Sequence, residues 1–224
     1  MLLLVTDTSG RDGSVALVRD VSTDGVEVVE SAPLEGGTFS AQLVPQISKL
    51  LTNHAMRKSD IDAFIVVSGP GSFTGLRVGL AAIKALAEIL AKPIVAVSLL
   101  EVAALAAGSN GKILAVLDAG RSEVHAGEYE VAGGSARLLQ QHLLRKEGLS
   151  SVAAGTIVVT PDDALAEIAR AAGLSASSIG NVNAGMIARL GLRKLRAGEI
   201  FSPERLEANY GRRSDAEIFA KLGP

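Results

Sequence analysis

The feature that most constrains the fold of this chain is a glycine-rich loop between a buried strand and a long helix. Residues 63–67 form an unbroken apolar run, which is typical of a strand buried on both faces. A helix is predicted from about Leu76 to Ala91, and Pro93 ends it. Between them lies Gly69-Pro70-Gly71-Ser72-Phe73-Thr74-Gly75. A strand that turns through such a loop into a helix is typical of α/β proteins, where backbone amides at the helix N-terminus can hold anions.

The loop alone leaves two interpretations open. It is not a Walker loop, because Gly75 is followed by Leu76-Arg77 rather than by Lys and a hydroxyl residue. It is not a dinucleotide fingerprint either, because position 74 is Thr and not Gly. The loop is then either a ligand-binding loop or a tight turn. In the second case the glycines let helix and strand pack closely, and Ser72 or Thr74 caps the helix; shape alone favours this turn.

The order of predicted elements indicates an α/β protein with two lobes. Residues 2–97 read as three strands, a helix, a strand, a helix and a strand. This is the layout of the ribonuclease-H-like lobe of the actin-like ATPase (ASKHA) fold, although the pattern alone also fits other α/β folds. A break at residues 108–111 precedes a second, smaller α/β lobe. We expect lobes at 1–105 and 106–224, with the C-terminal helix at 184–197 able to pack back on the first lobe. No internal repeat stands out.

Composition and charge argue against several classes of protein. The chain has no Cys, which excludes thiol catalysis, thiolate metal sites and disulfides. Its formal net charge of −2 argues against a chain that binds nucleic acid by itself through phosphate neutralisation. The apolar N-terminus is too short for a signal peptide, and every longer apolar stretch is broken by Gly, Pro or a charge. We therefore expect a cytoplasmic protein without a membrane partner.

Four segments resemble the TsaB (YeaZ) family. Residues 68–79, which begin Ser-Gly-Pro-Gly-Ser-Phe-Thr-Gly, are similar to that family's signature. Asp7-Thr8-Ser9 resembles its first phosphate-loop position, residues 117–124 its second-lobe strand turn, and Tyr210 with Arg212 its terminal element. Phe39-Ser40 departs from the family, which often has His there, so we transfer no role of that His. The resemblance implies a vestigial nucleotide site at Asp7, Thr8, Ser9, Gly69, Gly71, Ser72, Thr74 and Gly75.

The resemblance also implies a function. TsaB proteins are similar to TsaD, the catalytic subunit that transfers a threonylcarbamoyl group from its adenylate to adenosine 37 of tRNA. It implies a non-catalytic accessory subunit that pairs with TsaD, works with the ATPase TsaE, meets tRNA through that complex and forms a homodimer when alone. It implies no metal and no intrinsic cofactor, with ATP or ADP at the interface of the complex.

The histidines agree with a non-catalytic role. TsaD-type enzymes carry a metal-binding His pair at i and i+4 on the helix after the strand that ends here at Val97. Residues 98–107 contain no His. The three histidines are His54 at a helix end, His125 on a strand and His142 in a predicted loop, and their spacing forms no such pair.

Two other function classes stay open. One is an ATPase or small-molecule kinase of the actin-like fold, in which Asp7 would help to hold the metal and phosphate. The other is a peptidase, because older labels of the family are of the glycoprotease type. The chain has no His-Glu-x-x-His motif, no Cys and no Gly-x-Ser-x-Gly elbow, so the peptidase is least favoured.

Two surfaces are candidates for partners. The helix 76–91 is apolar nearly all round and is therefore core or interface, as is the apolar stripe of the helix predicted from Ser40 to about His54. In the family these helices pair with TsaD, and the predicted interface residues are Leu43, Ile47, Leu51, Leu76, Gly79, Leu80, Ile83 and Leu86. Residues 186–213 hold seven basic and three acidic side chains. Arg189, Arg193 and Arg196 share one helix face, which is either a solvated surface or a contact to the tRNA backbone.

Overall fold

The chain folds into two compact units. The structure, a computed structural model, describes residues 1–21, 25–153 and 155–211, with Ser150 lacking a described side chain. One unit consists of Met1–Leu99 and Asn183–Asn209. The other is Leu100–Val182 with Tyr210 and Gly211. The C-terminal helix therefore belongs to the first unit, and Arg212 of the predicted terminal element lies outside the described residues.

The first unit is a five-stranded mixed sheet with helices on both faces. The strand order is β3-β2-β1-β4-β5; β1 pairs antiparallel with β2 and parallel with β4. The remaining pairs are antiparallel β2–β3 and parallel β4–β5. Its elements are β1 (Leu2–Asp7), β2 (Asp12–Asp20), β3 (Val26–Glu35), α1 (Phe39–Asn53), a 3₁₀ helix (Lys58–Asp60), β4 (Ala63–Gly69), α2 (Phe73–Leu90), β5 (Ile94–Ser98) and α5 (Ala184–Arg196).

The core of this unit lies between the sheet and helices α1 and α2. Alternate strand residues such as Leu4 and Phe64 point into it, where they meet Leu43 of α1 and Ile83 of α2. Helix α5 covers the other face. There Gly191 lies so close to Ile65 that a Cβ at Gly191 would stand 2.5 Å from Ile65 Cγ2. The sheet is thus buried on both faces, which explains the unbroken apolar runs of β1 and β4.

The second unit repeats the topology of the first. Its strand order, read from β8, is β8-β7-β6-β9-β10, with β6–β7 and β7–β8 antiparallel and β6–β9 and β9–β10 parallel. Apolar residues of α3 pack on one face of the sheet and those of α4 on the other. The predicted two-lobed actin-like α/β fold is confirmed. The elements are α3 (Leu99–Ala106), β6 (Gly111–Gly120), β7 (Glu123–Ala132), β8 (Ser135–Arg145), a 3₁₀ helix (Lys146–Ser151), β9 (Ile157–Thr160), α4 (Asp163–Ala171) and β10 (Ser175–Ser178).

Three local predictions differ from the structure. Helix α1 begins at Phe39 rather than after a Ser40 cap, and its N-cap residue Thr38 makes no side-chain capping bond. His142 lies in strand β8 and not in a loop. Strand β8 was missed because its buried and exposed residues do not alternate regularly, so the sequence shows no period of two.

Candidate functional site

The glycine loop of the first unit is held by bonds within the chain. Ser72 is the N-cap of α2, and its Oγ accepts from the Gly75 amide at 3.2 Å. The Ser72 amide donates to the Ser9 carbonyl at 2.7 Å. Thr74 is exposed in the first turn, so Ser72, and not Thr74, is the cap. Two amides of the loop that could face an anion are therefore already bonded within the chain.

Three glycines spaced by four residues let α2 rest directly on the loop after β1. A Cβ at Gly71 would stand 2.3 Å from the Ser9 carbonyl oxygen, and one at Gly75 would stand 2.1 Å from the Thr8 carbonyl oxygen. A Cβ at Gly79 would stand 2.2 Å from Thr8 Oγ1. Thr8 Oγ1 in turn donates to the Gly75 carbonyl at 2.8 Å. We call Gly71, Gly75 and Gly79 the glycine cradle; its contents are Thr8 and Ser9.

Asp7 is bonded to its own loop. The Ser9 amide and the Ser9 hydroxyl donate to Asp7 Oδ1 at 2.9 and 2.6 Å. Burial raises the pKa of Asp7 above its ordinary value, and the two bonds from Ser9 act in the opposite direction. The carboxylate of Asp7 thus shapes the turn, which is the simpler of the two interpretations of this residue.

The fold family implies a nucleotide phosphate at this place, and the residues do not fit it. A phosphate loop needs amides that point at the ligand and glycines whose missing side chains make room for it. Here the space at all three glycines of the cradle is taken by Thr8 and Ser9. Thr8 and Ser9 are 1% and 3% exposed, so the two residues are packed against α2 and not displayed to solvent.

Two features near the cradle were not predicted. Phe39, which stands where the family often has His, is 5% exposed and fills the space beside Gly13 and Gly75. Gly69 has φ +134°, and a Cβ there would stand 1.9 Å from the Asn209 carbonyl oxygen. The Asn209 amide donates to the Ser68 carbonyl at 2.7 Å. The segment that ends at Asn209 therefore covers the carboxyl end of β4, a long-range contact with no signal in the sequence.

The residues predicted for the partner interface lie in the core. Seven of the eight are buried, and Leu86 is half-buried and packs against the same core. The reason is that the apolar stripe of each helix faces the sheet. The outward faces of α1 and α2 carry other residues, among them Val44, which is 54% exposed, Ala81 and Ala85. Any partner surface on these helices must therefore use the outward residues.

The arginine stripe is on the exposed side of α5, as its spacing predicts. Arg189, Arg193 and Arg196 are all exposed. Arg196 forms a forked ion pair with Asp20, with Nη2 at 2.9 and 3.0 Å from the two carboxylate oxygens. Part of the stripe thus ties α5 to β2, and the tRNA contact stays a prediction.

Comparison with known proteins shows the family. A family model described as TsaD, tRNA N6-adenosine threonylcarbamoyltransferase, matches residues 36–178, which is more than half of the chain. The TsaB protein of Bacillus subtilis (strain 168) is 34% identical over 142 residues, 63% of this chain and 59% of that protein. The chain belongs to the TsaD family, in its TsaB (YeaZ) branch.

Other matches agree with this TsaB-family assignment. The TsaB protein of Escherichia coli (strain K12) is 34% identical over 133 residues, 58% of this chain and 55% of that protein. The chain thus aligns with less than three fifths of the length of these relatives. The structure of YeaZ from Pseudomonas aeruginosa covers 93% of this chain and 99% of its own with a TM-score of 0.72. At 24% identity, that likeness concerns the fold.

The second unit of this TsaB-family chain carries its acidic motif residue in an ion pair. Asp118, near the end of β6, lies 3.0 Å from Lys146 Nζ. His54 and His142 lie beside Glu30 and Glu128 at 2.8 and 3.5 Å. Within residues 1–21, 25–153 and 155–211, no group of three or more His, Asp or Glu could hold a metal ion. No helix in the same residues is long and apolar enough to span a membrane.

Proposed function

We propose that this chain is an accessory subunit in the synthesis of threonylcarbamoyladenosine in tRNA and performs no group transfer itself. Its relatives in Bacillus subtilis and Escherichia coli are named for that pathway. The observation that carries the non-catalytic part is the glycine cradle, which is filled by Thr8 and Ser9 of the same chain. A site whose donors and space serve its own backbone has nothing left to stabilise a transferring group.

The proposed partner is a TsaD-type chain, and the proposed contact surface is the outward side of α1 and α2. Val44 on α1 and Ala81 and Ala85 on α2 are exposed apolar side chains on neighbouring helices. The small side chains on α2 allow the backbone of a partner helix to approach closely. A TsaE-type ATPase and tRNA would join through that complex, which places the chain in the cytoplasm. The nucleotide predicted at the interface of the complex is not tested by a single chain.

The experiment is a reconstitution of tRNA threonylcarbamoylation. Purified TsaD-type and TsaE-type proteins and the adenylate-forming enzyme are incubated with tRNA, with and without this chain, and the modified nucleoside is measured by mass spectrometry. We expect modification only with the chain present, and no turnover of ATP by the chain alone. Equal modification without it would refute the accessory role. ATP hydrolysis or peptide release by the chain alone would favour the kinase-like or peptidase alternatives.

Two substitutions locate the contact in the same assay. Val44→Glu and Ala85→Glu each place a charge on the proposed surface, and we expect binding of the TsaD-type partner to weaken by about tenfold or more. Ile168→Glu is the matched control, because Ile168 is 38% exposed on α4 of the other unit. If Ile168→Glu weakens binding as much as the two variants do, the surface has been placed incorrectly.

A further inference from the structure

The two sheets end in topologically equivalent edge strands that differ in chemistry. Strand β3 is the outer strand of one sheet and β8 of the other. β3 carries Pro33 and the acidic residues Glu27, Glu30 and Glu35. Proline and charges on an edge strand are common means of preventing another strand from pairing with it. β3 is therefore protected by its sequence.

Strand β8 lacks that protection in its central stretch. Residues 138–144 read Leu-Leu-Gln-Gln-His-Leu-Leu, with no Pro, Gly, Asp, Glu, Lys or Arg. Leu138 and Leu139 are 48% and 43% exposed. A register shift opposite Glu128 and Tyr129 leaves Leu139 as an extra residue in the ladder, and the strand is regular again from Gln140 to Arg145. An exposed, uncharged edge of this length is a template for a further strand.

The sequence of the stretch is a palindrome in polarity. If a second copy of β8 lies antiparallel beside it, with a two-fold axis at Gln141, Leu138 faces Leu144, Leu139 faces Leu143, and Gln140 faces His142. Gln141 faces its own copy. An isologous contact requires this kind of self-complementarity, in which residue i meets j and j meets i. Leucines opposite leucines and amides opposite polar side chains are favourable cross-strand pairs.

The ends of the stretch are compatible with the same register. Arg137 would face Arg145 of the second copy, and each arginine already has a Glu beside it. Arg137 is ion-paired with Glu130, and Arg145 stands opposite Glu123 in the β7–β8 ladder. The repulsion between the two arginines is thereby reduced.

We propose that a second copy of this chain adds to β8 in this two-fold register and joins two five-stranded sheets into one. A contact limited to one strand from each copy buries no more than about 1,000 Å², which is at the low end for specific interfaces. The dimer is therefore weak and depends on concentration. It leaves the outward faces of α1 and α2 available to another protein, so it is independent of the proposed function.

Single cysteines test the register, because the chain has no Cys of its own. Gln141→Cys places the thiol on the two-fold axis, within reach of its copy. Leu138→Cys is the matched control. It is more exposed, but it would lie six residues from its copy along the paired strands, about 20 Å away. Under mild oxidation we expect a disulfide-linked dimer from Gln141→Cys and at least tenfold less from Leu138→Cys. Equal linkage, or linkage favouring Leu138→Cys, would overturn the proposal.

Analytical ultracentrifugation tests the surface without cross-linking. We expect the wild-type chain to shift from monomer to dimer as its concentration rises, and Leu139→Lys to stay monomeric with an unchanged circular dichroism spectrum. Val44→Lys, on the outward face of α1, should dimerise as the wild type does. A dimer that survives Leu139→Lys, one that is lost in Val44→Lys, or a wild type that is monomeric throughout contradicts the β8 interface.

Discussion

At the scale of single residues, Gly79 allows α2 and the loop after β1 to approach within less than the size of a methyl group. Gly→Ala inside a helix ordinarily stabilises by about 1 kcal/mol. At Gly79 the added Cβ would stand 2.2 Å from Thr8 Oγ1, so the sign should reverse. We expect Gly79→Ala to lower the free energy of unfolding by about 2 kcal/mol, measured by urea denaturation.

Two further variants separate the clash from a general effect of the substitution. Combining Gly79→Ala with Thr8→Ala removes the clashing hydroxyl, so the pair should cost less than the sum of the single changes. Gly148→Ala is the control, because a Cβ at Gly148 meets nothing within 4 Å. Strict additivity of the two changes would show that Thr8 does not fill the cradle.

At the scale of elements, two hairpins of the second sheet solve the same turn differently. The β7–β8 turn uses Gly133 and Gly134, with φ of +57° and +76°. The β6–β7 turn places Arg121 and Ser122 at φ +52° and +62°, a region that L-residues with side chains rarely adopt. We expect Ser122→Gly to raise the free energy of unfolding by up to about 1 kcal/mol, seen as a higher urea midpoint. The reverse change, Gly134→Ser, should lower it by a similar amount; an unchanged midpoint in both would mean that the turns relax.

At the scale of the whole molecule, the chain leaves the first unit at Leu99 and returns to it at Asn183. The last helix therefore completes a sheet that was made at the start of the chain. We expect truncation after Val182 to expose the face of β1 and β4 that α5 covers, and to abolish amide hydrogen-exchange protection in β1–β5. Protection in β6–β9 should persist, because both helices that pack on that sheet remain. Retained protection in β1 would show that the first unit does not need α5.

The sequence predicted much of the local structure. Continuous apolar runs identify β1 and β4, and apolar residues at helical spacing identify α1, α2 and α5, because burial on two faces or on one stripe leaves a periodic pattern. The string at residues 68–79 was enough to point to the family, which the comparisons then showed. The repeated topology left no repeat in the sequence. Two sheets need the same order of strands, but not the same side chains, to be alike.

What the glycines are for was decided only by the tertiary structure. A loop such as Gly69–Gly75 is equally suited to a phosphate and to a neighbouring backbone, because both need amides and room for close approach. The structure places Thr8 and Ser9 in that room, and it turns the apolar stripes of α1 and α2 toward the sheet. Contacts between residues about sixty positions apart depend on how β1 and β4 pair. Local propensity records the need for a small residue and a buried stripe, but not which partner meets them.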